Sequence, residues 1–133
     1  MNKIIITGGL GHIGSFLIEK ILKEKKNIHL IVIDNLSSQR IFSLFNLKTY
    51  TNKISFYDFD ITKKKISTVT KNAKIIIHLS AATDAEKSLG REKEYLNNNL
   101  RGTSEVVKFA KLYKIPLIFP SSTSVYGKME KDS

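Results

Sequence analysis

The sequence predicts an α/β fold, a doubly wound parallel sheet of about five strands in the order 3-2-1-4-5. Short apolar runs rich in β-branched residues alternate with segments of helical spacing, which is typical of parallel strands joined by right-handed crossovers. The first of these runs leads directly into a glycine-rich turn, Thr7–Gly14, and then a helix. We expect a ligand crevice at the carboxyl ends of strands 1 and 4, where the strand order reverses.

The first strand is predicted at Asn2–Thr7, because contiguous isoleucines are typical of a parallel strand that is buried on both faces. The helix that follows begins near the last glycine of the turn, and its apolar residues recur at helical spacing. Its predicted apolar face comprises Ile13, Phe16, Leu17 and Ile21, widened by Ile18 and Leu22.

Four further apolar runs predict the remaining strands, at His29–Ile33, Ile54–Tyr57, Lys74–Leu79 and Pro116–Phe119. Two more helices are predicted, a weak short one at Lys63–Val69 and a long one at Glu92–Leu112. The apolar residues of the long helix are Leu96, Leu100, Val106, Val107, Phe109, Ala110 and Leu112.

The glycines of the turn fit two registers that nucleotide-binding proteins use. Gly9-x-Gly11-x-x-Gly14 is the general dinucleotide pattern, and Gly8-x-x-Gly11-x-x-Gly14 is the pattern of short-chain dehydrogenases. In both registers, Gly11 and Gly14 let the backbone approach a pyrophosphate, whose charge faces the N–H groups of a helix N-terminus. The turn therefore predicts a partial Rossmann fold that binds a dinucleotide.

Asp34 ends the second strand about 20 residues beyond the last glycine, where such a fold is expected to carry an acid. A carboxylate there accepts hydrogen bonds from the adenosine ribose and repels a 2′-phosphate, which favours NAD over NADP. The alternative is that Asp34 and Asn35 simply form a turn. Arg40 could contact a phosphate, but we interpret it as a solvated loop charge, so NAD is the predicted cofactor.

With 133 residues the chain has the length of one domain, and it has no cysteine for a disulfide or a thiolate metal site. Its three histidines show no metal-ligand spacing, so no metal site is predicted. No apolar run approaches the ~20 residues of a membrane span, and no signal peptide precedes the first strand. We therefore expect a cytoplasmic protein without a membrane partner.

The net charge of +10 is large for this length, and the lysines are densest at residues 23–26 and 63–65. Lysine runs can bind nucleic acid through its phosphates. These runs lack interleaved aromatic residues and match no DNA-reading motif, so we interpret them as solvated faces and expect no nucleic-acid partner. A basic nucleic-acid-binding domain stays the less favoured alternative.

Four further motifs follow the glycine turn and the loop Asp34-Asn35-Leu36-Ser37. They are Asp60-Ile61, His78-Leu79-Ser80-Ala81-Ala82, Asn99-x-x-Gly102-Thr103 and the serine-rich segment Ser121–Gly127. In this order the six motifs resemble those of the extended short-chain dehydrogenase/reductase family, in particular its NAD-dependent nucleotide-sugar epimerases and dehydratases, and the resemblance covers the whole chain. It implies NAD as cofactor and a nucleotide sugar as substrate, and it leaves a homodimer of the complete enzyme open. The residues that it assigns to the cofactor are Gly8, Gly11, His12, Ile13, Gly14, Asp34, Asn35, Asp60, Ile61, Leu79, Ala81, Ala82 and Asn99.

The resemblance also assigns Ser122 as the catalytic hydroxyl that bonds the reacting oxygen of the sugar, and Ser124 as a second substrate contact. Structural alternatives stay open, since Ser122 could cap a turn and Asp60 could cap a helix. His78 is interpreted as a hydrogen-bonded structural residue of its strand. Asparagines 97–99 are poor helix formers, and at least one of them is expected to bond a group outside the helix.

One departure from the family pattern concerns acid–base chemistry. The family needs Tyr-x-x-x-Lys, in which the ammonium lowers the pKa of the phenol, but the residue four positions after Tyr126 is Glu130. We therefore interpret residues 1–133 as the truncated NAD-binding domain of such an enzyme, inactive alone and without the substrate domain. The complete enzyme would act by transient hydride transfer at the sugar. A non-catalytic NAD-binding regulatory module is the second hypothesis, and the sugar and the choice between epimerisation and dehydration are left open.

Overall fold

The computed structural model describes residues 1–37, 50–82 and 90–121. Five parallel strands form one sheet in the order β3-β2-β1-β4-β5, which confirms the predicted topology. The strands are β1 (Asn2–Thr7), β2 (Ile28–Asp34), β3 (Ile54–Asp58), β4 (Ile75–His78) and β5 (Leu117–Ile118), and the helices are α1 (His12–Glu24) and α2 (Glu92–Tyr113). All five strands and α2 agree with the predicted bounds to within one residue at either end. Within the described part of the chain, no helix has the length and apolar character needed to cross a membrane.

The sheet is buried on both faces, because successive side chains of a strand point to opposite sides. In the register of β1 with its neighbours, Ile5 lies opposite Ile31 and Ile76, and the next residue, Ile6, lies opposite Val32. The cluster on the α1 side contains Ile6, Leu10, Ile18, Leu22, Leu30, Val32 and Ile77. The cluster on the α2 side contains Ile5, Ile31, Ile33, Ile61, Ile66, Ile76, Val106, Phe109, Ala110 and Ile115.

The buried side of α1 differs from the predicted apolar face. Its buried row is Gly14, Ile18 and Leu22, spaced four residues apart, whereas Ile13 and Phe16 are 67% and 69% exposed. Gly14 is the reason, because it brings the backbone of α1 against the glycine turn. A count of apolar side chains gives a glycine no weight, so the sequence pattern placed the contact one row away.

The prediction for α2 was correct for only part of the face. The residues of α2 that are buried are Gly102, Val106, Phe109 and Ala110. Four others of the predicted face are exposed, Leu96, Leu100, Val107 and Leu112. Both sets have helical spacing, so periodicity alone could not show which of them packs on the sheet.

The short helix predicted at Lys63–Val69 was wrong. The structure has only a 3₁₀ turn at Ile66–Thr68, preceded by a turn in which the backbone N–H groups of Lys63 and Lys64 both donate to the carbonyl of Asp60 at 3.0 Å. Side chains that are β-branched or carry a hydroxyl disfavour a continued α-helix, which accounts for the short extent.

Candidate functional site

The carboxyl ends of β1 and β4 open into a cleft of about 1100 Å³. The cleft lies where the strand order reverses, which is where open α/β sheets bind their ligands. All thirteen residues that the sequence assigned to the cofactor line this cleft. The two predicted substrate contacts, Ser122 and Ser124, lie outside the described residues, as does Arg40.

The glycine turn folds as it does because neighbouring backbone atoms leave two of its glycines, Gly8 and Gly14, no room for a side chain. Gly8 has φ +66°, and a Cβ there would lie 2.6 Å from the backbone nitrogen of Ser80. A Cβ on Gly14 would lie 2.6 Å from the carbonyl oxygen of Gly9. Both glycines therefore hold the turn tightly, Gly8 against the loop after β4 and Gly14 within the turn itself.

Gly11 is different from these two glycines. A Cβ on Gly11 would meet only the carbonyl oxygen of Gly8, at an ordinary contact distance of 3.4 Å, and otherwise open space. Gly11 also lines the cleft. The absence of its side chain is thus not needed for packing, and it leaves space where a ligand can approach the backbone.

The N-terminus of α1 is arranged to receive an anion. No side chain caps it, and no acidic residue lies in its first turn. The contrast is α2, whose first turn carries Glu92 and Glu94. No lysine or arginine is among the described residues that line the cleft. An anion there would be held by backbone N–H groups and the helix dipole.

Asp34 is 8% exposed and is fixed by two backbone hydrogen bonds. Its Oδ2 accepts from the N–H of Leu10 at 2.9 Å, and its Oδ1 accepts from the N–H of Leu36 at 2.9 Å. The bond to Leu36 is the turn contact that the sequence offered as an alternative, and the bond to Leu10 ties β2 to the glycine turn. The carboxylate therefore has a structural role and also borders the cleft.

Asp60 and Ile61 follow β3 and form the adjacent wall of the cleft. The Oδ1 atom of Asp60 accepts from both the N–H and the hydroxyl of Thr62, each at 2.8 Å. Asp60 thus caps a turn and not the helix that was predicted, while its Oδ2 lies 3.8 Å from the Lys63 ammonium. Ile61 is buried in the cluster beneath α2, which anchors this wall.

Asn99 tethers α2 to the loop after β4. Its side-chain oxygen accepts from the N–H of Ala82 at 2.8 Å, and its side-chain nitrogen donates to the carbonyl of Ala82 at 3.0 Å. This confirms that one of the three asparagines bonds a group outside the helix. The paired bonds fix the loop in which Leu79, Ala81 and Ala82 line the cleft.

His78 connects three elements by hydrogen bonds and lines the cleft from β4. Its Nδ1 lies 2.6 Å from the hydroxyl of Thr7 at the end of β1, and its Nε2 lies 3.1 Å from the hydroxyl of Thr103 on α2. The ring also stacks on Phe119, with centroids 5.5 Å apart. Burial lowers the pKa of the His78 imidazole. The interpretation of His78 as a hydrogen-bonded structural residue is confirmed.

Three cleft residues were not singled out from the sequence. Phe59 and Thr62 also line the cleft. Their positions on either side of the Asp60-Ile61 motif could have indicated this from the sequence. Phe119 lines it from the far side, just beyond β5. Its position directly after the carboxyl end of a predicted strand could have indicated this role, because parallel sheets bind their ligands at that edge.

Residues 4–133 match the model of the NAD dependent epimerase/dehydratase family. The chain is 33% identical to a UDP-glucose 4-epimerase from Neisseria meningitidis serogroup C, over 96% of this chain and 38% of that protein. It is 31% identical to a dTDP-D-glucose 4,6-dehydratase from Dictyostelium discoideum, over 96% of this chain and 30% of that protein.

Solved structures show the same likeness. A UDP-N-acetylglucosamine 4-epimerase from Methanobrevibacter ruminantium M1, in complex with UDP-N-acetylmuramic acid, superposes with a TM-score of 0.83 and 27% identity, covering 98% of this chain and 41% of that one. A UDP-glucose 4-epimerase from Bifidobacterium longum, in complex with NAD+ and UDP, superposes with a TM-score of 0.78 and 26% identity, covering 95% and 38%. The chain thus spans about two fifths of the length of these relatives.

Proposed function

The chain belongs to the NAD dependent epimerase/dehydratase family, whose cofactor is NAD, and we propose that residues 1–133 form the NAD-binding part of a nucleotide-sugar epimerase or dehydratase. The observation that supports this most directly is the cleft beside β1 and β4. It combines an uncapped helix N-terminus, open space at Gly11 and a buried carboxylate, Asp34. These are the three features that a dinucleotide needs for its pyrophosphate and ribose.

The cleft offers a place for each part of NAD. Gly11 and the first residues of α1, His12 and Ile13, would hold the pyrophosphate through backbone N–H groups. Asp34 would accept from the ribose hydroxyls, because its two backbone hydrogen bonds leave acceptor capacity on both oxygens. Asp60-Ile61 would border the adenine. The loop Leu79–Ala82 would lie against the remaining half of the cofactor, where its small side chains leave room.

NAD, when bound, supplies a hydride acceptor and donor for the sugar. The chain's own contribution to that chemistry is proposed to be the Ser122 hydroxyl, which would bond the reacting oxygen, with Ser124 beside it. None of the five tyrosines is followed four residues later by a lysine. We therefore expect cofactor binding without measurable epimerase or dehydratase turnover from these 133 residues.

Calorimetric titration with NAD and NADP tests the proposal. The natural chain should bind NAD in preference to NADP. Gly11→Val should abolish NAD binding while thermal unfolding changes little, because the added Cβ meets only one backbone atom of the folded chain and the branched side chain extends from a residue that lines the cleft.

Phe16→Val is the matched control, since this exposed residue of α1 does not line the cleft. It should bind NAD like the natural chain. Retained NAD affinity in Gly11→Val would remove the glycine turn from the site. A natural chain that binds neither cofactor would contradict the proposed function itself.

A further inference from the structure

Lysines stand at the amino end of every strand of the sheet. One lies in β1, and the others precede the remaining strands within a few residues. They are Lys3 at β1, Lys25 and Lys26 before β2, Lys53 before β3, Lys71 and Lys74 before β4, and Lys111 and Lys114 before β5. We call this set the lysine edge. All of its residues are exposed except the half-buried Lys53.

The parallel topology brings these residues to one side of the molecule, opposite the cleft. The strands lie about 4.8 Å apart, so five amino ends form a continuous row. Neighbouring members are linked through the backbone, since the N–H of Lys74 donates to the carbonyl of Lys3 at 2.8 Å. Helices α1 and α2 end on the same side and widen the row into a face.

The excess positive charge of the described residues is concentrated on this edge. It carries eight lysines and one acid, Glu24, whereas the rest of the described chain carries nine lysines and arginines and seven acids. A general bias toward lysine would raise the positive charge everywhere. Placement, and not composition alone, therefore produces this edge.

Within residues 1–37, 50–82 and 90–121, no acidic side chain forms an ion pair with the lysine edge. The ion pairs of the described residues are Lys23–Glu19, Lys63–Asp60, Arg91–Glu94 and Lys108–Glu105, and none of them involves a member of the edge. One member, Lys53, lies over the ring of Tyr50 at 6.0 Å from its centroid. The ammonium groups of the other members belong to solvent-exposed residues.

The chemistry of the edge indicates what it can bind. It has no arginine to read base edges. The tyrosines beside it, Tyr50 and Tyr113, pack against the two core clusters, so they offer no free ring on which bases could stack. Lysines can bind a phosphate backbone without either feature, but the edge also exposes the apolar side chains of Met1 and Leu112, at 67% and 72%. A lipid surface can bury such side chains, whereas a phosphate backbone cannot, so the edge favours an anionic lipid surface.

We propose that the lysine edge docks on an anionic phospholipid surface, with the cofactor cleft facing away from the bilayer. The contact is mainly electrostatic and reversible, because eight lysines are accompanied by only two exposed apolar side chains, Met1 and Leu112. Each lysine near such a surface contributes about a fivefold factor in affinity. The proposal revises two expectations from the sequence, that the lysines are merely solvated and that the protein has no membrane partner, and it does not depend on cofactor binding.

Cosedimentation with phosphatidylglycerol vesicles at low salt tests it, with phosphatidylcholine vesicles as the neutral reference. The natural chain should bind the anionic vesicles only, and added salt should release it. Charge reversal of three edge residues, Lys25→Glu, Lys26→Glu and Lys74→Glu together, should weaken binding by about a hundredfold or more.

The matched control is the triple variant Lys63→Glu, Lys64→Glu and Lys65→Glu, which changes the net charge equally but lies after the carboxyl end of β3. It should keep most of the vesicle binding. An equal loss in both triple variants, or no binding by the natural chain, would overturn the proposal. So would tighter binding to polyuridylate RNA than to the vesicles. NAD titration of the edge variant should be unchanged, which separates this test from that of the proposed function.

Discussion

At the scale of single residues, the site is built from side chains that serve the fold and the cleft together. Asp34 borders the cleft but already accepts two backbone N–H bonds without any ligand. His78 holds three elements through two threonines. Substitutions at such positions therefore have two effects, and each effect needs its own measurement.

Asp34→Ala should lower the stability of the protein even without cofactor, by about 2–3 kcal/mol, because the N–H of Leu10 loses a charged acceptor in a buried position. The variant should also narrow the preference for NAD over NADP. Denaturant unfolding measures the first effect and calorimetry the second. Asp58→Ala is the control, since it removes the same charge from an exposed position directly across the strand pair. Equal affinity of the natural chain for both cofactors would count against the assignment of Asp34.

Acid should destabilise the fold through His78. Because burial lowers the pKa of this imidazole in the folded state, the unfolded chain binds a proton first as the pH falls below about 6.5. Stability contributed by the neutral ring is complete above that pH and declines below it, with a slope of up to about 1.4 kcal/mol per pH unit.

Denaturant unfolding between pH 5 and 7 measures this slope. His78→Gln should be less stable but should show a flatter profile, whereas His29→Gln keeps His78 and should keep the slope. If stability depends on pH in the same way in the natural chain and in His78→Gln, then His78 does not cause the slope.

At the scale of elements, the sheet was predictable from the sequence and the helix faces were not. Short apolar runs bounded by turn residues and rich in β-branched side chains favour strands over helices, and β1 to β5 were predicted to within one residue. Apolar periodicity does not show the helix contacts at Gly14 and Gly102, because a glycine has no apolar side chain to mark the buried face.

The cleft residues of the predicted motifs were identified for a related reason. Motifs at the carboxyl ends of parallel strands must meet at one edge, whatever the loops between them do. The partners of these residues were not predictable. The pairing of Asn99 with Ala82, and of His78 with Thr103, depends on how α2 lies over the sheet, which sequence periodicity does not specify.

The tether between α2 and the loop after β4 can be tested by one atom exchange. Asn99→Asp keeps the shape but loses the donor, and it places a carboxylate beside the carbonyl of Ala82. We expect a loss of stability of about 1–3 kcal/mol and faster amide exchange at residues 80–82. Asn97→Asp makes the same change at an exposed position of α2 and should alter neither quantity. Unchanged exchange in Asn99→Asp would mean that other contacts hold the loop.

At the scale of the whole molecule, the fold has one weakly protected side. Among the described residues β5 is an edge strand, and it is only two residues long. Ile118 and, just beyond the strand, Phe119 are 48% and 53% exposed. Such an edge is a template for pairing with another chain.

We therefore expect the 133-residue chain to associate as its concentration rises, and light scattering will show this as a growing mean mass. Ile118→Lys should reduce the association, because a charged edge residue opposes strand pairing. Leu112→Lys adds the same charge at an exposed position of α2 away from the edge strand and serves as its control. A monodisperse monomer at high concentration, unfolding cooperatively, would show that the chain closes its own edge.

The lysine edge makes one end of the sheet strongly positive, whereas at the other end Asp34, Asp58 and Asp60 offset Lys63, Lys64 and Lys65, so the folded molecule is an electric dipole. The two helices oppose it with only about half a charge at each end. On a sulfonate resin the molecule will therefore adsorb in one orientation, with its lysines down and its cleft open to the solution. NAD should then titrate every adsorbed molecule with the affinity measured in solution, whereas random adsorption would leave a fraction of the clefts blocked.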